Sequence, residues 1–280
     1  MTFHIIKVEY ILVKRGEEMP KVKINNVELY YEVKGSGNAI VFTHGASWNH
    51  RQWKPQIDEL AKQYKTITWD VRGHGQSSLP KGKVDSEDFS KDLIGLLAHL
   101  NVKQVHLCGL SMGGHISLQT AIRHPEFVKS LILIGTPFTN TYNWFEKLFV
   151  PINRWSSIFI PMRVMAIIQA RMLSKFNSNN KQYIKESVTS IPLNHWIRIW
   201  HAVSTMESGD DLHKINCPTL ILQGDHDTMT ERQQREMAKR IPLSKLVYIK
   251  NAHHATNLDN PTQVNNEIIN HLLEIEAKLQ

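Results

Sequence analysis

From Val22 onward, short apolar runs alternate with longer stretches in which apolar residues recur at helical spacing. The runs at 23–24, 28–33, 39–43, 66–70, 105–110, 130–134, 219–223 and 245–249 read as eight strands. The central ones are apolar at both alternations, which suits strands covered on two faces. Helical spacing appears at 53–63, 86–100, 112–124, 231–240 and 262–279. Gly35-Ser36-Gly37-Asn38 reads as a turn, and Ser86-Glu87-Asp88 as a capped helix start. This alternation predicts an α/β protein: an eight-stranded, mostly parallel sheet with helices on both faces.

Two stretches break the alternation. Residues 138–208 are rich in Trp, Phe, Met, Ile and Arg at helical spacing, and Pro137, Pro151, Pro161 and Pro192 divide them into three or four short helices. The expected organisation is a core built from 1–137 and 209–280, with 138–208 inserted after the sixth strand as a helical cap or lid. The other stretch is 1–18, which alternates weakly through Ile5, Lys7 and Glu9. Its end, Arg15-Gly16-Glu17-Glu18, takes purine-rich codons of the kind that form a ribosome-binding site. Residues 1–18 are therefore a candidate N-terminal extension ahead of a start at Met19, the alternative being an extra edge strand.

Composition narrows the class. Of the 280 residues, 41% are hydrophobic and 21% charged, as in soluble globular proteins. No apolar run is long enough to span a bilayer, and no secretory signal opens the chain. Two cysteines make no disulfide framework. Cys108 and Cys217 flank strands and read as buried small hydrophobes, so a reducing, cytoplasmic location is expected. The formal charge of +7 is concentrated in one place. Residues 140–205 carry eight basic side chains against two acidic ones, Glu146 and Glu186, a local excess of six positive charges. No Lys/Arg run or nucleic-acid-binding motif accompanies it, so we expect no nucleic-acid partner; solvated faces of amphipathic helices account for the charge. The same basic, aromatic make-up would also suit attraction of an anionic substrate or an anionic membrane surface.

The chemistry centres on Gly109-Leu110-Ser111-Met112-Gly113, which follows one predicted strand and opens a helix. A Gly-x-Ser-x-Gly so placed is a nucleophile elbow, with the serine on a tight, strained turn. Its partners would be a base, an acid that orients the base, and an oxyanion hole. The acid should follow a late strand. Gly224-Asp225-His226-Asp227 does so, and the need to clear the strand end and curl towards the sheet centre favours Asp227. The base should follow the last strand, where His253 and His254 are adjacent; only one can serve. The two oxyanion donors would be the amide of Met112 and, in Thr43-His44-Gly45-Ala46, that of Ala46. His44 reads as a buried brace for that loop, and Asp70-Val71-Arg72 as a structural organiser. No metal-ligand spacing, Walker loop or dinucleotide glycine loop is present, so no metal and no cofactor are expected.

Taken together, His44-Gly45, Asp70-x-Arg72-Gly73-His74-Gly75-x-Ser77, Gly109-x-Ser111-x-Gly113-Gly114, Gly224-x-x-Asp227 and the segment from Asn251 to Pro261 resemble the α/β-hydrolase superfamily. The likeness is to its lid-bearing branch of esterases, lactonases and carbon–carbon bond hydrolases. In that family a glycine usually precedes the catalytic histidine; here His253 holds the glycine's place, which makes His254 the base. Ser111 excludes the members with an aspartate at the elbow. The resemblance implies a carboxylesterase-like serine hydrolase, in which Ser111, His254 and Asp227 cleave a small ester or lactone through an acyl-enzyme. Carbon–carbon bond hydrolysis of a dienoic diketo acid with the same triad is the alternative within the class, and a non-catalytic ligand-binding protein the alternative outside it. The expected substrate pocket is Trp48, Trp144, Phe145, Trp196 and Trp200. The partner is a small molecule, and the chain is expected to be a monomer or homodimer.

Overall fold

A computed structural model of the chain describes residues 20–156 and 159–278. The segment 1–18 and the start at Met19 lie outside the described residues. Eight strands form one sheet: β1 (Lys21–Ile24), β2 (Val27–Lys34), β3 (Ala39–Thr43), β4 (Lys65–Trp69), β5 (Val105–Leu110), β6 (Val128–Ile134), β7 (Thr219–Gly224) and β8 (Ser244–Ile249). Their order is β1-β2-β4-β3-β5-β6-β7-β8. β1 and β2 pair antiparallel, β2 runs antiparallel to β4, and the remaining pairs are parallel. Asn25 and Asn26, both at positive φ (50° and 63°), make the two-residue β1–β2 turn. Asparagine tolerates that region, and its twist matches the flanking strands.

Ten helices accompany the sheet among the described residues: α1 (Lys54–Leu60), α2 (Asp88–His99), α3 (Met112–Arg123), α4 (Trp144–Ser156), α5 (Met162–Met172), α6 (Asn180–Thr189), α7 (Leu193–Val203), α8 (Glu231–Arg240), α9 (Thr256–Asp259) and α10 (Pro261–Ala277). The doubly apolar strands are explained by two cores. Val41, Leu107, Leu131 and Ile221 pack with Phe89, Leu93, Leu96 and Ile116 of α2 and α3 on one face. Their strand neighbours Phe42, Cys108, Ile132 and Leu220 pack with Ile57, Leu60, Ile268 and Leu272 of α1 and α10 on the other. Cys217 is only half-buried, unlike Cys108, because it precedes β7 rather than lying in a strand.

Four helices, α4 to α7, occupy the 138–208 interval between β6 and β7. Pro161 and Pro192 precede α5 and α7, but Pro151 lies inside α4 instead of ending it. The α5–α6 break carries no proline; Asn177 turns the chain by accepting the Asn179 amide at 3.1 Å. These helices are bonded to the core. Tyr183 of α6 donates to the Asn49 carbonyl at 3.1 Å, and Asn180 donates to Asp259 at 3.1 Å. Asn177 donates to the Leu258 carbonyl at 2.9 Å. None of the described helices is long and apolar enough to cross a membrane.

The strand order positions the site. From β3 the chain crosses to β4 on one side, and β5 then returns to the other side of β3. The loops leaving β3 and β5 therefore diverge, opening the crevice at which open α/β sheets bind ligands. The loop after β3 begins at His44, and the residue after β5 is Ser111.

Candidate active site

Ser111 lies between β5 and α3 at φ 53° and ψ −115°, a conformation L-residues rarely adopt. The turn is held by its amide, which donates to the Ile134 carbonyl at 2.9 Å, and by the first bond of α3, from His115 N to Ser111 O at 3.0 Å. A side chain at Gly113 would strike the Thr43 and His44 carbonyls, so glycine lets α3 start against the end of β3. The amides of Ala46 and Met112 have no acceptor among the described residues. The first belongs to the loop after β3, the second to the open N-terminal turn of α3.

His44 and His74 support that loop from beneath. His44 Nε2 accepts the Val71 amide at 3.0 Å and its Nδ1 faces the Gly45 carbonyl at 2.8 Å, which makes Nδ1 the protonated nitrogen. His74 Nε2 accepts the Ser47 amide at 3.2 Å. Burial lowers the two pKa values to about 4 and about 3, so both rings stay neutral braces. Asp70 organises the next loop, accepting from the His50 amide at 2.7 Å and the Gln76 amide at 2.8 Å. Arg72 forms a two-pronged ion pair with buried Asp92, both bonds 2.7 Å, and reaches Asp88 at 2.6 Å.

The two candidate acids have different partners. Asp225 is tied to its surroundings, contacting His226 at 2.7 Å and accepting the Asn251 and Ala252 amides at 3.1 Å. Asp227, 3% exposed, stands 2.9 Å from His254 Nδ1 through Oδ2. It also accepts from the Thr230 hydroxyl at 2.8 Å and the Met229 amide at 3.0 Å. Burial alone would raise the Asp227 pKa, but the imidazole and these donors hold it below the usual carboxylate value. Burial would likewise lower that of His254, and the Asp227 carboxylate outweighs it, holding the pKa above 6.5. With Nδ1 on Asp227, His254 keeps Nε2 for a second partner. His253 turns away, its ring against Phe176 and His226, while its amide donates to Asp259 at 2.9 Å.

Ser111 and His254 line one cavity of about 400 Å³. Gly45, Ala46, Trp48 and Leu110 complete its sheet side; Ile160, Met165, Ile168, Gln169, Met172, Leu173, Trp196, Trp200 and Met229 form the rest. Trp196 and Trp200 stack at 5.6 Å between centroids. Of the expected pocket residues, Trp48, Trp196 and Trp200 are on the wall. Trp144 is not: it opens α4, is 77% exposed and projects to solvent with Leu148 and Ile152 at four-residue spacing. The side chain of Phe145 lies outside the described residues. The expected pocket lacked several wall residues, Gln169 and Met229 among them; neither belongs to a motif, and the packing of α5 and the course of the turn between β7 and α8 bring them to the cavity. None of the eight basic side chains of 140–205 lines the cavity; Arg154 instead binds Ser204, and Arg198 binds the Gly82 and Pro80 carbonyls. Among the described residues, no group of three or more His, Cys, Asp or Glu is arranged to hold a metal ion.

Residues 38–261 match the alpha/beta hydrolase fold family, and this chain belongs to it. Among its relatives is 3-oxoadipate enol-lactonase 1 of Acinetobacter baylyi, 25% identical over 259 residues that cover 87% of this chain and 94% of that protein. Of solved structures, a thermophilic esterase from Thermogutta terrifontis with malate bound superposes at a TM-score of 0.83, with 26% identity and coverage of 92% and 99% of the two chains. The enol-lactonase from Burkholderia xenovorans LB400 shares the fold at a TM-score of 0.83 and 23% identity, over 91% of this chain and all (100%) of that one.

Proposed function

We propose that this chain is a carboxylesterase-like serine hydrolase that cleaves a small ester or lactone. The observation that carries the reading is the 2.9 Å contact between Asp227 and His254, with His254 and Ser111 on the wall of the same apolar cavity. In this mechanism His254 Nε2 takes the Ser111 proton as the hydroxyl oxygen attacks the substrate carbonyl. The amides of Ala46 and Met112 receive the oxyanion, and His254 returns the proton to the leaving alkoxide. Water, activated by the same imidazole, then releases the acid. Asp227 keeps the ring in the required tautomer and stabilises the imidazolium formed at each step.

Helices α4–α7 act as a cap in this reading: α5 and α7 bring Met165, Ile168, Met172, Trp196 and Trp200 to the apolar wall, so they help set which acyl group fits. The basic excess of the cap bears on the approach of an anionic substrate rather than on contact, because it stands off the wall. The enol-lactonase and esterase relatives support the substrate class. The test is Ser111→Ala, assayed on p-nitrophenyl esters of increasing chain length and a few lactones. It should lose nearly all turnover and all labelling by a fluorophosphonate while keeping its melting temperature. Undiminished ester hydrolysis by that variant would overturn the assignment, and failure of the folded wild type to label would favour a binding protein.

A further inference from the structure

The cavity wall is apolar except at few points, and one of them lies outside the proposed catalytic apparatus. Gln169 is half-buried on α5, between the wall residues Met165 and Met172. Its Oε1 stands 3.3 Å from Trp48 Nε1 and 3.1 Å from the Ser47 hydroxyl. The Ser47 hydroxyl has a single hydrogen and also faces the Ala46 carbonyl at 2.6 Å, so the indole is the group that fixes the amide. An indole N–H can only donate, which commits Oε1 to Trp48 and turns Nε2 away from it. Among the described residues Nε2 has no partner. A pre-oriented donor in an apolar wall is a selective element: a substrate that covers it without offering an acceptor loses that donor's hydrogen bond to water.

We propose that Gln169 Nε2 is a specificity donor that binds a second oxygen of the substrate, remote from the scissile carbonyl. The substrate class is then esters or lactones whose acyl part carries a keto, ether or carboxylate oxygen, rather than plain alkyl esters. Trp48 takes part as the positioning residue, since its indole holds the amide in the donating orientation. This inference rests on the hydrolase reading above and adds the acceptor.

The test compares p-nitrophenyl 4-oxopentanoate with p-nitrophenyl pentanoate, a pair that differs by one ketone oxygen. The readout is the ratio of their kcat/KM values, measured for the wild type, Gln169→Glu and Gln169→Met. Glutamate keeps an acceptor for Trp48 and removes the donor; methionine removes both. The ratio should fall about tenfold in both variants, the usual worth of one hydrogen bond of this kind. An unchanged ratio in both overturns the proposal. A fall in Gln169→Met alone also overturns it, because Gln169 would then act only by supporting Trp48. A wild type that hydrolyses neither ester and leaves Ser111 unlabelled by a fluorophosphonate overturns the hydrolase reading, and this inference with it. Robust hydrolysis and labelling with no dependence on the ketone overturns this inference alone.

Discussion

Replacing Gly135 by alanine should damage catalysis more than it damages the fold. Gly135 follows β6 with φ +49°, in the left-handed region, and its amide donates to the Leu222 carbonyl at 3.0 Å. A β-carbon there would lie 3.2 Å from Asp227 Oδ2, 3.2 Å from His254 Nδ1 and 3.4 Å from His254 Cε1. Holding alanine at this φ costs about 1–2 kcal/mol. The lower unfolded-state entropy of alanine offsets roughly 0.4–1 kcal/mol of that. The net loss of about 1 kcal/mol corresponds to some 2–4 °C in melting temperature for a domain approaching this size. The contacts are tighter than most side chains tolerate, so the carboxylate and the imidazole must give by a few tenths of an ångström. A displacement of about 1 Å in a catalytic group can cost about 100-fold, so a smaller one should cost about tenfold in kcat. The acid limb of kcat/KM should also move to lower pH: as Asp227 loosens its hold, burial of the imidazole prevails. Thermal melts with a kcat/KM–pH profile on a p-nitrophenyl ester would check both. A variant with the expected melting loss but wild-type kcat and pH limb would refute the role given to the Asp227–His254 contact.

Three other substitutions have expected outcomes. Asp227→Asn should lower kcat by roughly three to four orders of magnitude. In the proposed mechanism the neutral His254 is the base, so kcat/KM should rise as pH passes its elevated pKa; without the carboxylate the residual activity should titrate lower, and an unmoved limb in a pH profile would count against the assignment. Arg72→Ala strands the carboxylate of Asp92, whose side chain is fully buried, and should cost about 3–5 kcal/mol in urea unfolding while leaving activity per folded molecule close to wild type. Asp88→Ala, removing a partly exposed partner, should cost much less.

Much of the architecture is legible because it is written locally. The Val, Ile and Leu runs of β3, β5, β6 and β7 are apolar at both alternations, and only a sheet covered on two faces satisfies them. The Gly-x-Ser-x-Gly between a strand and a helix announces a strained turn, because the residues that permit it are adjacent. Proline was a poorer guide in 138–208: Pro151 sits within α4, since one lost backbone bond does not end a helix whose other positions favour it. Trp144 illustrates the same limit, because a large aromatic residue in the 138–208 interval can face the cavity or the solvent, and helix rotation decides which.

Patterning along the chain is enough to specify the order of the elements, the two-sided core and the set of residues from which a serine-based site could be drawn. Position past the strand end favours Asp227 over Asp225, but the contacts that separate the two are tertiary: the Asn251 and Ala252 amides after β8 bind Asp225, and His254 binds Asp227. Gly135 lies against that pair only because β6 and β7 are neighbours in the sheet, and Gln169 meets Trp48 only because α5 packs over the loop after β3. Local patterning sets what each segment can become. The contacts that select among chemically equivalent residues join positions about 30 to 120 residues apart, and only packing brings those together.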